Sequence, residues 1–276
     1  FVYDKNNKSY SRLKKLKNKP CKTLEELAEK SNIIITCLPS PKAVSIVLKT
    51  ISKYLTKKHI WIEMSTTDKN DMISLSKKVS SKGSRVLECP ITGGEHRAKS
   101  GNISILAAGK RSTFKECFPI LSLLAYEILY CGKIGNASTL KVITNYLASL
   151  HLLGIGEALI VAKKNKINLG LTYKAIKISS GNSFVNETET KVILGGSYDV
   201  GFTMDLVNKD INLFNKLGKS IKLELGDYLR KKFKLGMKIL GERSYSTSIV
   251  KLIEKDAKIK LRAKNFPRQL IDKQKK

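Results

Sequence analysis

The chain of 276 residues carries 52 basic against 23 acidic side chains, a formal net charge of +29, and is 42% hydrophobic. That hydrophobic share excludes a disordered chain and suffices for a sizeable core, in one large domain or two smaller ones. Of the basic residues 44 are lysine, spread along the sequence without interleaved aromatics, so the charge implies weak polyanion attraction and no specific nucleic-acid partner.

The chain opens on Phe1-Val2-Tyr3-Asp4, with no initiator methionine or signal pattern, and reads as the end of a strand closing on an acid. Thr23 with Glu26 three residues on is a helix-start signal. Residues 33–38 form an apolar run stopped by Pro39 and Pro41, which predicts a strand buried on both faces. Helical spacing follows over 43–55. A second buried strand spans 60–64, ends at Ser65-Thr66-Thr67, and is followed by another helix over 69–82. Strand and helix alternating in short order imply crossover units and a mostly parallel sheet.

Past residues 85–87 the pattern changes. Pro90 leads to Thr92-Gly93-Gly94, then the charged Glu95-His96-Arg97, then a second apolar run at 103–108. Adjacent glycines after a hydroxyl residue let backbone approach a ligand closely and present N–H groups to it. From Gly132 and Gly135 onward one long apolar periodicity covers 138–164, and nearly everything to 259 reads as helix. The domain boundary is therefore expected near 133–137. Residues 1–135 are read as an α/β doubly wound domain, incomplete at its start, and residues 136–276 as an all-α domain. The tail from 255 onward reads as a frayed, solvated end.

No apolar run reaches the eighteen or so residues of a membrane span, so no membrane partner is expected. Five scattered cysteines, at 21, 37, 89, 117 and 131, form no C-x-x-C pair. That argues against a disulfide framework or zinc site and for a reduced, cytoplasmic compartment. Cys89 beside the Thr-Gly-Gly stretch is either a functional thiol or, with no histidine at a recognisable partner position, a buried small hydrophobe.

Ligands of open parallel sheets sit outside the carboxyl ends of the strands. Three such ends offer small polar groups: Tyr3-Asp4, Leu38-Pro39-Ser40 and Met64-Ser65-Thr66. An acid ending a second strand accepts the hydroxyls of an adenosine ribose and repels a 2′-phosphate, so Asp4 points to NAD rather than NADP. The glycine loop G-x-G-x-x-G, expected about twenty residues before such an acid, is absent from the chain. The sequence is accordingly expected to be a piece of a longer product. The alternative is a catalytically inactive relative serving as a nucleotide- or polyanion-binding assembly protein.

Lys141 and Asn145 project from one helical face a turn apart. Lys141, flanked by Leu140, Val142 and Ile143, is either a partly desolvated amine suited to proton transfer or a solvated lysine on an amphipathic helix.

Seven blocks, in order over nearly the whole length, resemble the β-hydroxyacid dehydrogenase family: "VYDKNN", "IIITCLPS", "IEMSTTD", "CPITGGEHRAKSGNISILAAG", "GNASTLKVITNYL", "ISSGNSF" and "GFTMDLVNKDINLF". The resemblance implies a Rossmann-type domain followed by a helical one. It implies NAD-dependent interconversion of a short 3-hydroxy acid, of the 3-hydroxyisobutyrate or tartronate semialdehyde type, and its semialdehyde. Lys141 would be the general acid/base, with Thr92, Gly93, Gly94, Asn145 and Lys209 binding substrate. Asp4, Leu38, Pro39 and Thr66 would line the cofactor, with Lys209 near its nicotinamide end. No metal is implied, and His96 and His151 are surface or packing residues. A homodimer or homotetramer through the helical domain is a further implication. Thr92 stands where the family usually has serine. Arg97 stands where relatives carry small residues, and is either an exposed charge or a bidentate partner for a second acidic group on the substrate.

Overall fold

Local signals account for the first elements of the computed structural model, which describes residues 1–6, 8–11 and 17–272. After a single turn, α1 (Lys8–Ser11), comes α2 (Leu24–Lys30), where the Thr23 hydroxyl accepts from Glu26 N at 3.2 Å. The Glu26 carboxylate reaches back to accept from Lys22 N at 2.7 Å, so two orphan donors are satisfied. Next are β1 (Ile33–Thr36), α3 (Pro41–Ile51), β2 (Ile60–Glu63), α4 (Lys69–Ser80) and β3 (Arg85–Glu88). Ser40 caps α3 ahead of a proline at its start, and Asp68 caps α4.

β1 pairs parallel with β2 from Ile33↔Ile60 to Thr36↔Glu63, and β2 pairs parallel with β3 from Ile60↔Arg85 to Glu63↔Glu88. Every residue of β2 is buried, as its apolar run predicts. β1 departs from that expectation: Ile35 is 41% exposed, so only one face of the strand is covered. Apolarity reported the strand but not which face lacks a covering helix. The expected opening strand is reduced to a single parallel bridge, Val2 with Pro20. Ile34, Leu48, Trp61, Met72 and Val79 centre the core on this side, each contributing about 1.5–3 kcal/mol by burial.

Beyond β3 lie β4 (Ile91–Thr92), α5 (Gly94–Lys99), β5 (Ile103–Gly109), α6 (Arg111–Leu124) and β6 (Ala125–Tyr130). β5 runs antiparallel to β3, with Leu87↔Gly109 and Glu88↔Ala108. The connection through the short α5 is no crossover, and a parallel return needs one. The sheet is therefore mixed, in the order β1-β2-β3-β5-β4 with β6 on β5.

The rest is helical: α7 (Asn136–Lys164), α8 (Leu169–Lys177), α9 (Phe184–Glu187), α10 (Glu189–Leu194), α11 (Met204–Leu217), α12 (Glu224–Leu240) and α13 (Val250–Ala257). Leu152, Leu159, Ile193, Tyr198, Met204, Phe233 and Ile249 form their core. The chain divides into two compact units, one of Phe1–Ile91, Ser104–Leu123 and Glu127–Leu140, the other of Thr92–Ile103, Leu124–Tyr126 and Lys141–Lys276. The division thus falls within α7, and the Thr92-Gly93-Gly94 stretch belongs with the helices.

Two expectations are corrected here. Among the described residues, α7 is the one helix long and apolar enough, by length and composition, to cross a membrane. Its buried residues Leu152, Leu153 and Leu159 pack into the helical core. The tail is packed rather than frayed: Leu261 is fully buried, its N donates to Glu254 Oε1 at 2.6 Å, and Ala263 N donates to Leu194 O at 3.1 Å. The last four residues of that tail lie outside the described ones.

Candidate active site

The ends of β1 and β2 are tied together by a buried carboxylate. Glu63 accepts from Thr36 Oγ1 at 2.5 Å and from Ser65 N at 2.6 Å, while Leu38 N donates to Ser65 Oγ at 2.7 Å. Trp61 Nε1 donates to Thr36 Oγ1 at 2.8 Å and completes the network. Burial raises the Glu63 pKa, and neighbouring Glu88 adds to the rise. Leu38 and Thr66, both half-buried, and the exposed Pro39 thereby follow the carboxyl ends of adjacent parallel strands. Asp4 sits in an exposed turn of the same unit, its Oδ1 accepting from Asn6 N at 2.7 Å. An exposed carboxylate and loops at parallel-strand ends suit a dinucleotide.

The Thr92-Gly93-Gly94 turn is built where only glycine fits easily. Gly93 has φ 120° and Gly94 φ 80°. A Cβ on Gly93 would lie 2.9 Å from Arg97 Cδ, so the arginine stem covers the turn. α5 is anchored to its own unit at several points. Glu95 packs against Gly201, Arg97 lies over the Phe184 ring at 5.0 Å, and Asp272 Oδ2 accepts from Ser100 Oγ at 2.5 Å and Asn102 Nδ2 at 2.7 Å. Cys89 is fully buried and burial pushes its thiol up, so it is a small hydrophobe rather than a thiolate. His96 is half-buried, its pKa lowered by burial and then by Arg97; His151 is exposed.

The same unit holds Lys141, Asn145 and Lys209 around an acid that sequence reading passed over, Asp210. Lys141 is only 6% exposed, and burial lowers its pKa to about 8, partly opposed by Asp210 and assisted by Lys209. Asn145 Nδ2 donates to Asp210 Oδ2 at 2.6 Å, and Lys209 Nζ lies 3.1 Å from Asp210 Oδ1. Asp210 is itself 2% exposed, on the α11 face that buries Val207 and Ile211. An acid among the apolar positions of an amphipathic helix was the available signal. Glu88 was also missed. Fully buried at the end of β3, it accepts from Gly135 N at 2.6 Å and Ser138 N at 2.5 Å, and so caps the helix that carries Lys141. A separate cavity of about 400 Å³ between α11 and α12, lined by Asn208, Asn212, Arg230, Lys231, Lys234 and Met237, contains none of the expected site residues.

Residues 1–132 match the NAD-binding domain of 6-phosphogluconate dehydrogenase, and residues 135–253 match the NAD-binding domain of NADP-dependent 3-hydroxyisobutyrate dehydrogenase. The chain is 27% identical over 203 residues to 2-(hydroxymethyl)glutarate dehydrogenase of Eubacterium barkeri, an alignment covering 72% of this chain and 67% of that one. It is 29% identical over 207 residues to mitochondrial 3-hydroxyisobutyrate dehydrogenase of Mus musculus, covering 71% of this chain and 62% of the relative. The alignments thus span roughly two thirds of these curated relatives. A structure of Mycobacterium tuberculosis 3-hydroxyisobutyrate dehydrogenase with L-serine superposes with a TM-score of 0.81 at 20% identity, covering 91% of this chain and 89% of the other. Its likeness shows the fold: a Rossmann-type domain followed by a helical one. With both domain matches in sequence along nearly the whole chain, the protein belongs to the β-hydroxyacid dehydrogenase family.

Proposed function

We propose that the complete protein interconverts a short 3-hydroxy acid and its semialdehyde with NAD. The observation that carries this reading is a buried lysine, Lys141, with a pKa near 8 beside Asn145, Lys209 and Asp210. A general base works best with a pKa close to the operating pH, and burial supplies that here. In oxidation the neutral Lys141 amine takes the hydroxyl proton as hydride leaves the same carbon; in reduction the ammonium returns it. The chemistry supplied by bound NAD is acceptance of hydride in one direction and its donation in the other.

In this reading the backbone N–H groups of Gly93 and Gly94 and the Thr92 hydroxyl hold the substrate carboxylate, and Asn145 and Lys209 orient the reacting carbon. Asp210 fixes the Asn145 amide and keeps Lys141 from losing its proton too readily. Leu38, Pro39 and Thr66 line the cofactor side. Asp4 selects NAD over NADP through repulsion of a 2′-phosphate. A homodimer or homotetramer is supported by α12, which leaves Leu225, Tyr228, Leu235 and Ile239 exposed along one side.

The test is NADH formation by the full-length protein with 3-hydroxyisobutyrate and related short 3-hydroxy acids across pH. Oxidation should fall as pH drops below about 8, where Lys141 is protonated, and reduction should fall above it. No turnover with any of these acids, or a Lys141→Met variant as active as the parent, would overturn the proposal.

A further inference from the structure

Arg97 is held both by the glycine turn and by a neighbouring ring. It is half-buried on α5 with its stem against the Gly93-Gly94 turn, the Cβ and Cγ lying 3.4 and 3.7 Å from where a Gly93 Cβ would be. Its guanidinium centre lies 5.0 Å from the Phe184 ring centroid, an arrangement that orients the planar fork. The acid on its own helix is already engaged: Glu95 pairs with Lys99 at 2.8 Å. The nearby Asp272 carboxylate accepts from Ser100 and Asn102. Among the described residues no carboxylate lies within ion-pairing distance of Arg97.

A planar five-donor group, oriented and left without an acid beside the substrate turn, is complementary to an oxyanion approached bidentately, and on a hydroxy acid that oxyanion is a carboxylate. Resting on the reading of Thr92-Gly93-Gly94 as the substrate turn, we propose that Arg97 is a specificity residue for a second carboxylate. The preferred substrate is then a dicarboxylic 3-hydroxy acid. One carboxylate meets the glycine turn and the other meets Arg97. A monocarboxylic acid leaves the guanidinium unpaired.

Calorimetric titration of the full-length protein with glutarate and with butyrate separates the two groups without requiring turnover. Glutarate should bind about 10- to 100-fold more tightly, the range of a charge-assisted hydrogen-bonded pair. Arg97→Ala should abolish that difference while leaving butyrate affinity within about threefold, and Arg97→Lys, with no fork, should recover only part of it. Equal affinities in the parent, or a loss for both acids alike in Arg97→Ala, would overturn the assignment. A glutarate preference that depends on Arg97 in a protein that oxidises no hydroxy acid would leave Arg97 standing and remove the dehydrogenase reading instead.

Discussion

Replacing Lys141 with methionine keeps most of the aliphatic bulk and removes the ammonium, and its effects on stability and turnover should have opposite signs. The lysine pKa falls from 10.5 to about 8 in the fold, chiefly through burial. The difference of about 2.5 units corresponds to about 3 kcal/mol of disfavour for the charged amine. The sign follows from proton counting. Between pH 8 and 10.5 the unfolded chain binds a proton that the folded one has released, so this group makes stability rise with pH across that window. Below pH 8 the full cost is present, and above 10.5 it is gone. Urea unfolding of parent and Lys141→Met should therefore show the variant gaining about 3 kcal/mol on the parent at pH 7 relative to pH 10.5. Turnover should fall by about 10²–10⁴-fold, the usual contribution of a general acid–base group. Lys141→Arg retains the charge but cannot act as a base near neutrality, so it should stay inactive. A stability difference that does not change with pH, or near-normal turnover in the arginine variant, would refute the reasoning.

Asp210→Asn removes the carboxylate that holds the Lys141 pKa up, so the acidic limb of the oxidation profile should move below pH 8; an unmoved limb would show the two are not coupled. Glu88→Ala leaves the Gly135 and Ser138 amides uncapped and should cost about 1–2 kcal/mol in chemical unfolding; an unchanged midpoint would show that the cap contributes nothing. Asp4 should make kcat/KM higher with NAD than with NADP, and a tenfold preference for NADP, about 1.4 kcal/mol the other way, would remove its assignment. Gly93→Ala forces a Cβ into the Arg97 stem at φ 120° and should raise the substrate KM several-fold while costing about 1–3 kcal/mol of stability; a neutral substitution would mean the turn is adaptable.

The first strands and helices were legible because their signals are local. Thr23 with Glu26, the run 60–64 and the glycine pair at 93–94 each specify backbone within a few residues. The spacing of Lys141 and Asn145 was equally plain, as was the place of Leu38 and Thr66 at strand ends. What the one-dimensional pattern left open was environment. Lys141 could be solvated or buried until α7 and α11 packed, and only that packing removes water and lowers its pKa. Asp210 and Glu88 look like ordinary acids in sequence. They become site residues because partners 65 and 47 to 50 positions away, Asn145 for the first and Gly135 with Ser138 for the second, are brought within hydrogen-bonding distance. The tail from 255 shows the same limit: it read as solvated, yet Leu261 is fully buried and Arg262 donates to Tyr198 Oη. Burial and pairing between distant segments are properties of the folded chain as a whole, and local spacing carries no measure of them.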